Sequence, residues 1–286
     1  MKYLPYAVLF TFSWLLVAPL AAQPQIGGGT CNASSLSGTY AFSLTGRQVT
    51  SSGKFSNVLQ ANGSATFDGQ SIITMSLTSD TTSAVAAPLP WSGTYTVQAN
   101  CVGIANITTG GNVTLNLMLY NKGFDFLATG SDATYSYAGT GITQPTVCSA
   151  STLSGVYTFN GSGFALAGGS VNGFGDAVGL LQFDGLGALT VNISMSSAGK
   201  AASPLDLTGS YMVGSDCLGS ATVTDSMANS YVMSFGVYFA NKVVGTDFYA
   251  TLAQGSAFQL SGGGHAIYGQ PTATAAAVSS TARSGE

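Results

Sequence analysis

Charge is what this chain has least of. Only 6% of its 286 residues are Asp, Glu, Lys or Arg, against about 25% in an average soluble protein. Acid–base groups are scarcer still, with one His, His265, and one Glu, the terminal Glu286. Seven basic against eleven acidic groups exclude a phosphate-tracking surface, because counterion release needs clustered Lys and Arg. Nucleic acid is therefore not a partner. No Cys-x-x-Cys occurs and no His stands near a Cys, which excludes a zinc centre; metal and cofactor are both expected to be none. Past residue 22 there is no apolar run long enough to span a membrane as a helix, so no span is expected in the mature chain. Helical periodicity is missing there as well.

What is present is apolar and aromatic. Hydrophobic residues make up 45% of the chain, with 13 Tyr and 15 Phe, enough to fill a core despite the low charge. Met1-Lys2 leads into an apolar run from Ala7 to Leu20, broken only by Thr11, Ser13 and Pro19 and followed by Ala21-Ala22. This reads as a secretory signal peptide over 1–22, cut after Ala22. Cys31 lies too far downstream for a lipoprotein. A secreted, periplasmic or cell-surface location is expected, and there an even number of Cys suggests disulfides.

Four Cys allow three pairings, and an internal repeat chooses among them. Sliding the chain on itself by 116 to 120 residues aligns Cys31-Asn-Ala-Ser-Ser-Leu-Ser-Gly-Thr-Tyr-Ala-Phe42 with Cys148-Ser-Ala-Ser-Thr-Leu-Ser-Gly-Val-Tyr-Thr-Phe159. Phe67-Asp68-Gly69 falls on Phe183-Asp184-Gly185, Gly93-Thr-Tyr95 on Gly209-Ser-Tyr211, and Cys101-Val-Gly103 on Cys217-Leu-Gly219. Asn121-Lys122 matches Asn241-Lys242, Asp125-Phe126 matches Asp247-Phe248, and both copies close on Gln-Pro, at Gln144 and Gln270. The expected pairs are Cys31 with Cys101 and Cys148 with Cys217. The organisation is a signal peptide at 1–22, a Gly-rich linker at 23–30, one β-domain at 31–145, a second at 146–271 and a disordered tail at 272–286.

Within each copy the apolar pattern has period two. Tyr40, Phe42 and Leu44 alternate with small or polar residues, as do Val113, Leu115, Leu117 and Leu119, the signature of strands with one buried face. Asn62-Gly63, Asp68-Gly69, Gly110-Gly111 and Asp184-Gly185 read as turns at meander spacing. The fold class is therefore all-β, with two tandem antiparallel domains of about eight strands each. A barrel is favoured over a barrel-like sandwich, since closure removes edges that a charge-poor strand cannot protect.

The pattern Cys-x4-Leu-Ser-Gly-x-Tyr-x-Phe, then Phe-Asp-Gly, Gly-x-Tyr-x-Val and Cys-x-Gly resembles a group of uncharacterised secreted bacterial β-domain proteins of the Acidobacteria type. That resemblance implies a compartment and a fold rather than an activity. A looser similarity is to calycin-type barrels, in which Gly-x-Tyr or Gly-x-Trp near the first strand plugs one barrel end. Leu36-Ser-Gly-Thr-Tyr40 stands in that place.

Chemistry has few candidates. Asp68 and Asp184, one per copy, would suit an aspartic-protease dyad, but Phe-Asp-Gly lacks the Ser or Thr between Asp and Gly. Asp-Gly is also a strong hairpin signal, so Asp68, Gly69, Asp184 and Gly185 are read as turn residues. A triad would rest on His265, which follows three glycines and is read as a solvent-facing loop residue without a nucleophile elbow. Gly168-Gly169 and Gly173-Phe-Gly175 precede neither a helix nor a Lys and are read as turns rather than phosphate cradles. Asn-x-Ser/Thr sequons at Asn32, Asn62, Asn106, Asn112, Asn160 and Asn192 are attributed to composition. The remaining lead is binding, for which Trp91, Tyr95, Tyr120, Tyr211 and Tyr238 are candidate ligand-binding aromatics. Asp125 and Asp247, repeated beside Phe, mark either a ligand contact or a hydrogen bond to backbone.

No enzyme is expected. The reading is an exported, non-catalytic binding or structural module whose partner is a small apolar ligand, a polysaccharide or another envelope protein. The alternative is a calycin-like carrier holding a small apolar ligand in each barrel. Behind these stand an enzyme using a barrel-mouth Asp and an outer-membrane barrel made from all sixteen strands.

Overall fold

The computed structural model describes residues 30–49, 55–81, 84–85, 89–167, 170–197, 200–201, 204–239, 246–254 and 257–267. The signal peptide, nearly all of the linker, Asn241-Lys242, Gln270-Pro271 and the tail lie outside the described residues.

The first copy runs β1 (Ser37–Val49), β2 (Phe55–Asp68), β3 (Ile72–Thr81), β4 (Ala84–Val85), β5 (Leu89–Val97), β6 (Val102–Thr109), β7 (Val113–Tyr120), β8 (Asp125–Ser131) and β9 (Ser136–Thr143). Each long strand pairs antiparallel with the next, and β1 pairs with β9 from Tyr40↔Thr143 to Arg47↔Ser136. Eight strands therefore close into an up-and-down barrel, with the two-residue β4 appended to β3. The second copy repeats the scheme as β10 (Ser154–Ala167), β11 (Ser170–Asp184), β12 (Ala188–Ser197), β13 (Lys200–Ala201), β14 (Leu205–Val213), β15 (Leu218–Thr224), β16 (Ser230–Phe239), β17 (Thr246–Gln254) and β18 (Phe258–Ala266). Here β10 closes on β18. Because each sheet closes on itself, a single sixteen-strand barrel does not form, and closure gives every one of the eight long strands in each copy two neighbours.

Alternation drives each closure. On β7 the pattern of burial is strictly every second residue, with Val113, Leu115, Leu117 and Leu119 inside. The barrel interiors hold interlocked rings. In the first, Tyr40, Phe67, Tyr95 and Phe126 meet at centroid distances of 4.9 to 5.6 Å, mostly edge to face. In the second, Tyr157, Phe183, Tyr211 and Phe248 do the same at 4.9 to 5.6 Å. Such pairs add about 0.5–1.5 kcal/mol each beyond their burial.

Two of the expected turns are strand instead. Asn62-Gly63 sits inside β2, where Gly63 faces Phe42 on β1. A Cβ there would come within 1.9 Å of the Ser76 carbonyl oxygen, so the glycine serves close strand packing rather than a turn. Gly173-Phe-Gly175 is likewise inside β11. Gly168-Gly169 lies outside the described residues. By contrast Gly69, Gly110 and Gly185 do occupy turns, with φ of 78°, 79° and 78°.

The two barrels are fused along one seam. On β16, Met233 to Tyr238 are buried without interruption, because the outward side chains are covered by the first barrel as completely as the inward ones are covered by their own. Asn62 Nδ2 donates across the seam to the Ser234 carbonyl (2.8 Å), and Gln60 Nε2 to the Ser162 carbonyl (3.3 Å). At Gly236 the sheets approach so closely that an added Cβ would stand 3.2 Å from the Gly63 oxygen and 3.6 Å from Ala41 Cβ. Val58, Phe164 and Leu166 form a small apolar cluster of their own there.

Candidate functional site

One end of each barrel is plugged by its own N-terminal segment. Asn32 Oδ1 accepts from Ser34 N (2.9 Å) and caps a one-turn helix, Ala33–Ser35, after which Leu36 enters the barrel with no exposure. Tyr95, from β5, donates its hydroxyl to the Ala33 and Leu36 carbonyls at 3.0 and 2.9 Å. The second barrel repeats this with Ala150–Thr152, Leu153 and Tyr211, whose hydroxyl reaches the Ala150 and Leu153 carbonyls at 2.9 and 2.8 Å. Disulfides Cys31–Cys101 and Cys148–Cys217 tie each plug to the following turn, as the repeat implied. Tyr40, in the plug position of the calycin-type pattern, is buried and donates to the Gly123 carbonyl at 2.7 Å.

Burial pushes the Tyr40 phenol up to about 12, and burial followed by the Asp68 charge does the same for Tyr95. These phenols stay neutral donors. Beside the first plug a cleft of about 120 Å³ is lined by residues including Ser34, Ser37, Lys122, Phe124 and Thr143.

Asp68 and Asp184 are turn residues in matching geometry. Asp68 Oδ1 accepts from the backbone N–H groups of Gln70, Ser71 and Ile72 at 2.7, 2.8 and 2.9 Å. Asp184 Oδ1 accepts from Leu186, Gly187 and Ala188 at the same three distances. These bonds hold both carboxyls below the usual carboxylate range, the reverse of the raised value that a proton-sharing dyad requires. Each Asp closes its own hairpin.

At the seam the repeat's other carboxylates appear. Asp247 Oδ1 accepts from Ala266 N (2.9 Å), and Asp247 Oδ2 stands 3.0 Å from His265 Nδ1. His265 is thus on strand β18, not in a loop, with a side chain 60% exposed. Asp125 Oδ2 accepts from Asn121 Nδ2 at 2.8 Å. Tyr238 stacks on Tyr249 with centroids 4.6 Å apart. Burial is the largest cause raising both phenols, Tyr249 to about 12, and the charges of Asp125 and Asp247 and the ring of Tyr120 act in the same direction. Tyr120 and Asp125 of the first barrel thus lie within electrostatic reach of Tyr238 and Tyr249 of the second.

The five candidate aromatics fall in three places. Tyr95 and Tyr211 hold plugs, Tyr238 lies on the seam strand β16 with Tyr120 of the other barrel within electrostatic reach, and Trp91 is half-buried on β5 against Gly110 and Gly111. Its indole N–H finds no acceptor among the described residues. A second cleft, of about 110 Å³, opens at the far end of the seam between Arg47 and Gln60 of the first barrel and Phe174 and Asp176 of the second. The seam residues Asn62, Ser234, Tyr249 and Thr251 were missed in the sequence reading. The residue types gave no signal for them, because Met233, Phe235 and Val237 alternate with Ser234 and Gly236 as on a strand with one open face, and only burial is unbroken there.

No helix among the described residues is long and apolar enough to cross a membrane. No family model and no curated protein matches the chain. Among solved structures it is similar to a protein of unknown function from the DUF3598 family of Nostoc punctiforme, at 8% identity, covering 82% of this chain and 97% of that one, with a TM-score of 0.25. It is also similar to a candidate AttH from Nitrosomonas europaea, at 8% identity, covering 82% and 93%, with a TM-score of 0.20. At those scores neither superposition carries an argument, and the fold rests on the chain's own strand register.

Proposed function

We propose that the protein is an exported, non-catalytic binding or structural module of the cell envelope or extracellular space, working through its outer surface. The observation that carries this reading is the filling of each barrel near its plug by four interlocked rings, which takes up the space where a calycin-like carrier would hold its ligand. Two disulfides fit an oxidising compartment, and the apolar leader at 1–22 supplies a route to it. A low-charge surface rich in Ser, Thr, Gly and Asn suits contact with polysaccharide or with other envelope proteins.

Native mass spectrometry on chain exported to a periplasm and purified without detergent tests the reading. A bare mass with both disulfides formed supports it. A retained small molecule, one per barrel, overturns it in favour of the carrier.

A further inference from the structure

The repeat makes a comparison possible that no single barrel allows. Strand register equates Val58, Gln60 and Asn62 on β2 with Phe174, Asp176 and Val178 on β11, since Gly63 faces Phe42 as Gly179 faces Phe159. In the first barrel this outward face is covered by the second, leaving Val58, Gln60 and Asn62 at 1%, 1% and 2% exposure. In the second barrel its equivalents are open: Phe174 and Val178 are each 61% exposed, and Leu180, next on the same face, 47%.

The mating face leaves a remainder too. β16 and β17 cover the first barrel, whereas the middle of their counterparts β7 and β8 is open at Met118 and Leu127. Met118 stands where Gly236 does and Leu127 where Tyr249 does. Those two side chains, 40% and 49% exposed, adjoin Ile104 on β6 at 36%. Each chain thus carries one used pair of faces and one unused pair with the same relationship, and both unused faces expose large apolar side chains, Phe174, Val178 and Leu180 around Asp176 on one and Ile104, Met118 and Leu127 beside Asn116 on the other.

We infer that the open β11 face of one copy receives the β7–β8 face of a second copy, head to tail, so that the protein self-associates through the counterpart of its own internal seam. The β11 stripe starts at that seam, where Phe174 packs on the buried Phe164 at 5.4 Å, so the second copy extends an interface already formed. Met118 in place of Gly236 prevents the close sheet approach of the internal seam and leaves side chains to make the contact. The association is therefore concentration-dependent rather than permanent. Because a head-to-tail contact does not close on itself unless the rotation happens to complete a ring, it builds open chains.

This deepens the proposed function, resting on its claim that the outer surface does the work, and the two fail separately. A retained ligand overturns the earlier reading; the present one is decided by sedimentation velocity on the mature chain over a hundredfold concentration range. Expected is a mean mass that rises past the dimer, with Val178→Asp and Leu127→Asp each monomeric alone and forming a 1:1 dimer when mixed, since each variant keeps the face the other lacks. Leu180→Asp and Met118→Asp repeat the pair should either first variant fail to fold by circular dichroism. A wild-type chain that stays monomeric throughout overturns the inference. So does loss of association in Val178→Asp with none in Leu127→Asp, which would mean that two β11 faces pair with each other.

Discussion

Tyr95 and Tyr211 show how much one hydroxyl can organise. Each bridges two carbonyls of its plug, those of Ala33 and Leu36 in the first barrel and of Ala150 and Leu153 in the second. Tyr95→Phe keeps the ring against Phe67 and loses both bonds, so urea unfolding should report a loss of about 1–2 kcal/mol, with Tyr211→Phe alike in the second barrel. Asp68 and Asp184 act instead through charge. Their folded carboxyls titrate below the unfolded value of about 3.9, so their contribution is fully present above that value and is lost as pH falls through the folded one. A thermal midpoint followed from pH 6 to pH 2 should fall below about pH 4, and the fall should shrink in the Asp68→Ala/Asp184→Ala double variant, which starts lower. Equal acid sensitivity in both proteins would show that other groups set it.

For strands the governing variable is how near the next backbone comes. Gly63 has the Ser76 oxygen where its Cβ would be, and Gly179 has the Asn192 oxygen 2.3 Å from the same point. Gly63→Ala should therefore push β2 and β3 apart and cost about 1–3 kcal/mol, measurable by chemical denaturation, whereas Ala at a strand position free of contact should stabilise slightly. An Asn-Gly dipeptide reads as a turn because both residues tolerate left-handed backbone. In β2 each is selected for another reason, Gly63 for clearance inside the barrel and Asn62 for its bond across the seam. Local propensity could not reveal this. Period two identified the strands themselves, since burial alternates on β7 as the sequence does, and the repeated Asp-Gly pairs marked the hairpins correctly.

In the whole molecule the seam makes two barrels behave as one body. Asn62 is buried to 2% exposure and supplies a donor to the Ser234 carbonyl, so Asn62→Ala removes a buried bond across the seam at a cost of about 1 kcal/mol. Trp91 belongs to the first barrel and the only other Trp in the sequence is Trp14, within the proposed signal peptide, so tryptophan fluorescence of chain produced from residue 23 onward reads the first barrel while far-ultraviolet circular dichroism reads both. The two thermal curves should coincide in the wild type and separate in Asn62→Ala. Curves already separate in the wild type would mean that the seam does not couple the barrels. The same burial removes Asn62 as a glycan acceptor in the folded protein, since an attached sugar would have to occupy the seam.

By itself the sequence determined the all-β class, the two copies and the pairing of the four Cys. Alternation and a fixed-period repeat are properties of order along the chain, and they survive without knowledge of what lies opposite. Only the tertiary structure decided that the sheets close as barrels, that Tyr95 and Tyr211 anchor plugs while Tyr238 and Tyr249 lie at a seam, and which outward faces stay open. Those outcomes depend on contacts between residues far apart in the chain, 189 positions in the case of Asn62 and Thr251. An outward-facing residue has the same period whether water or a second barrel covers it.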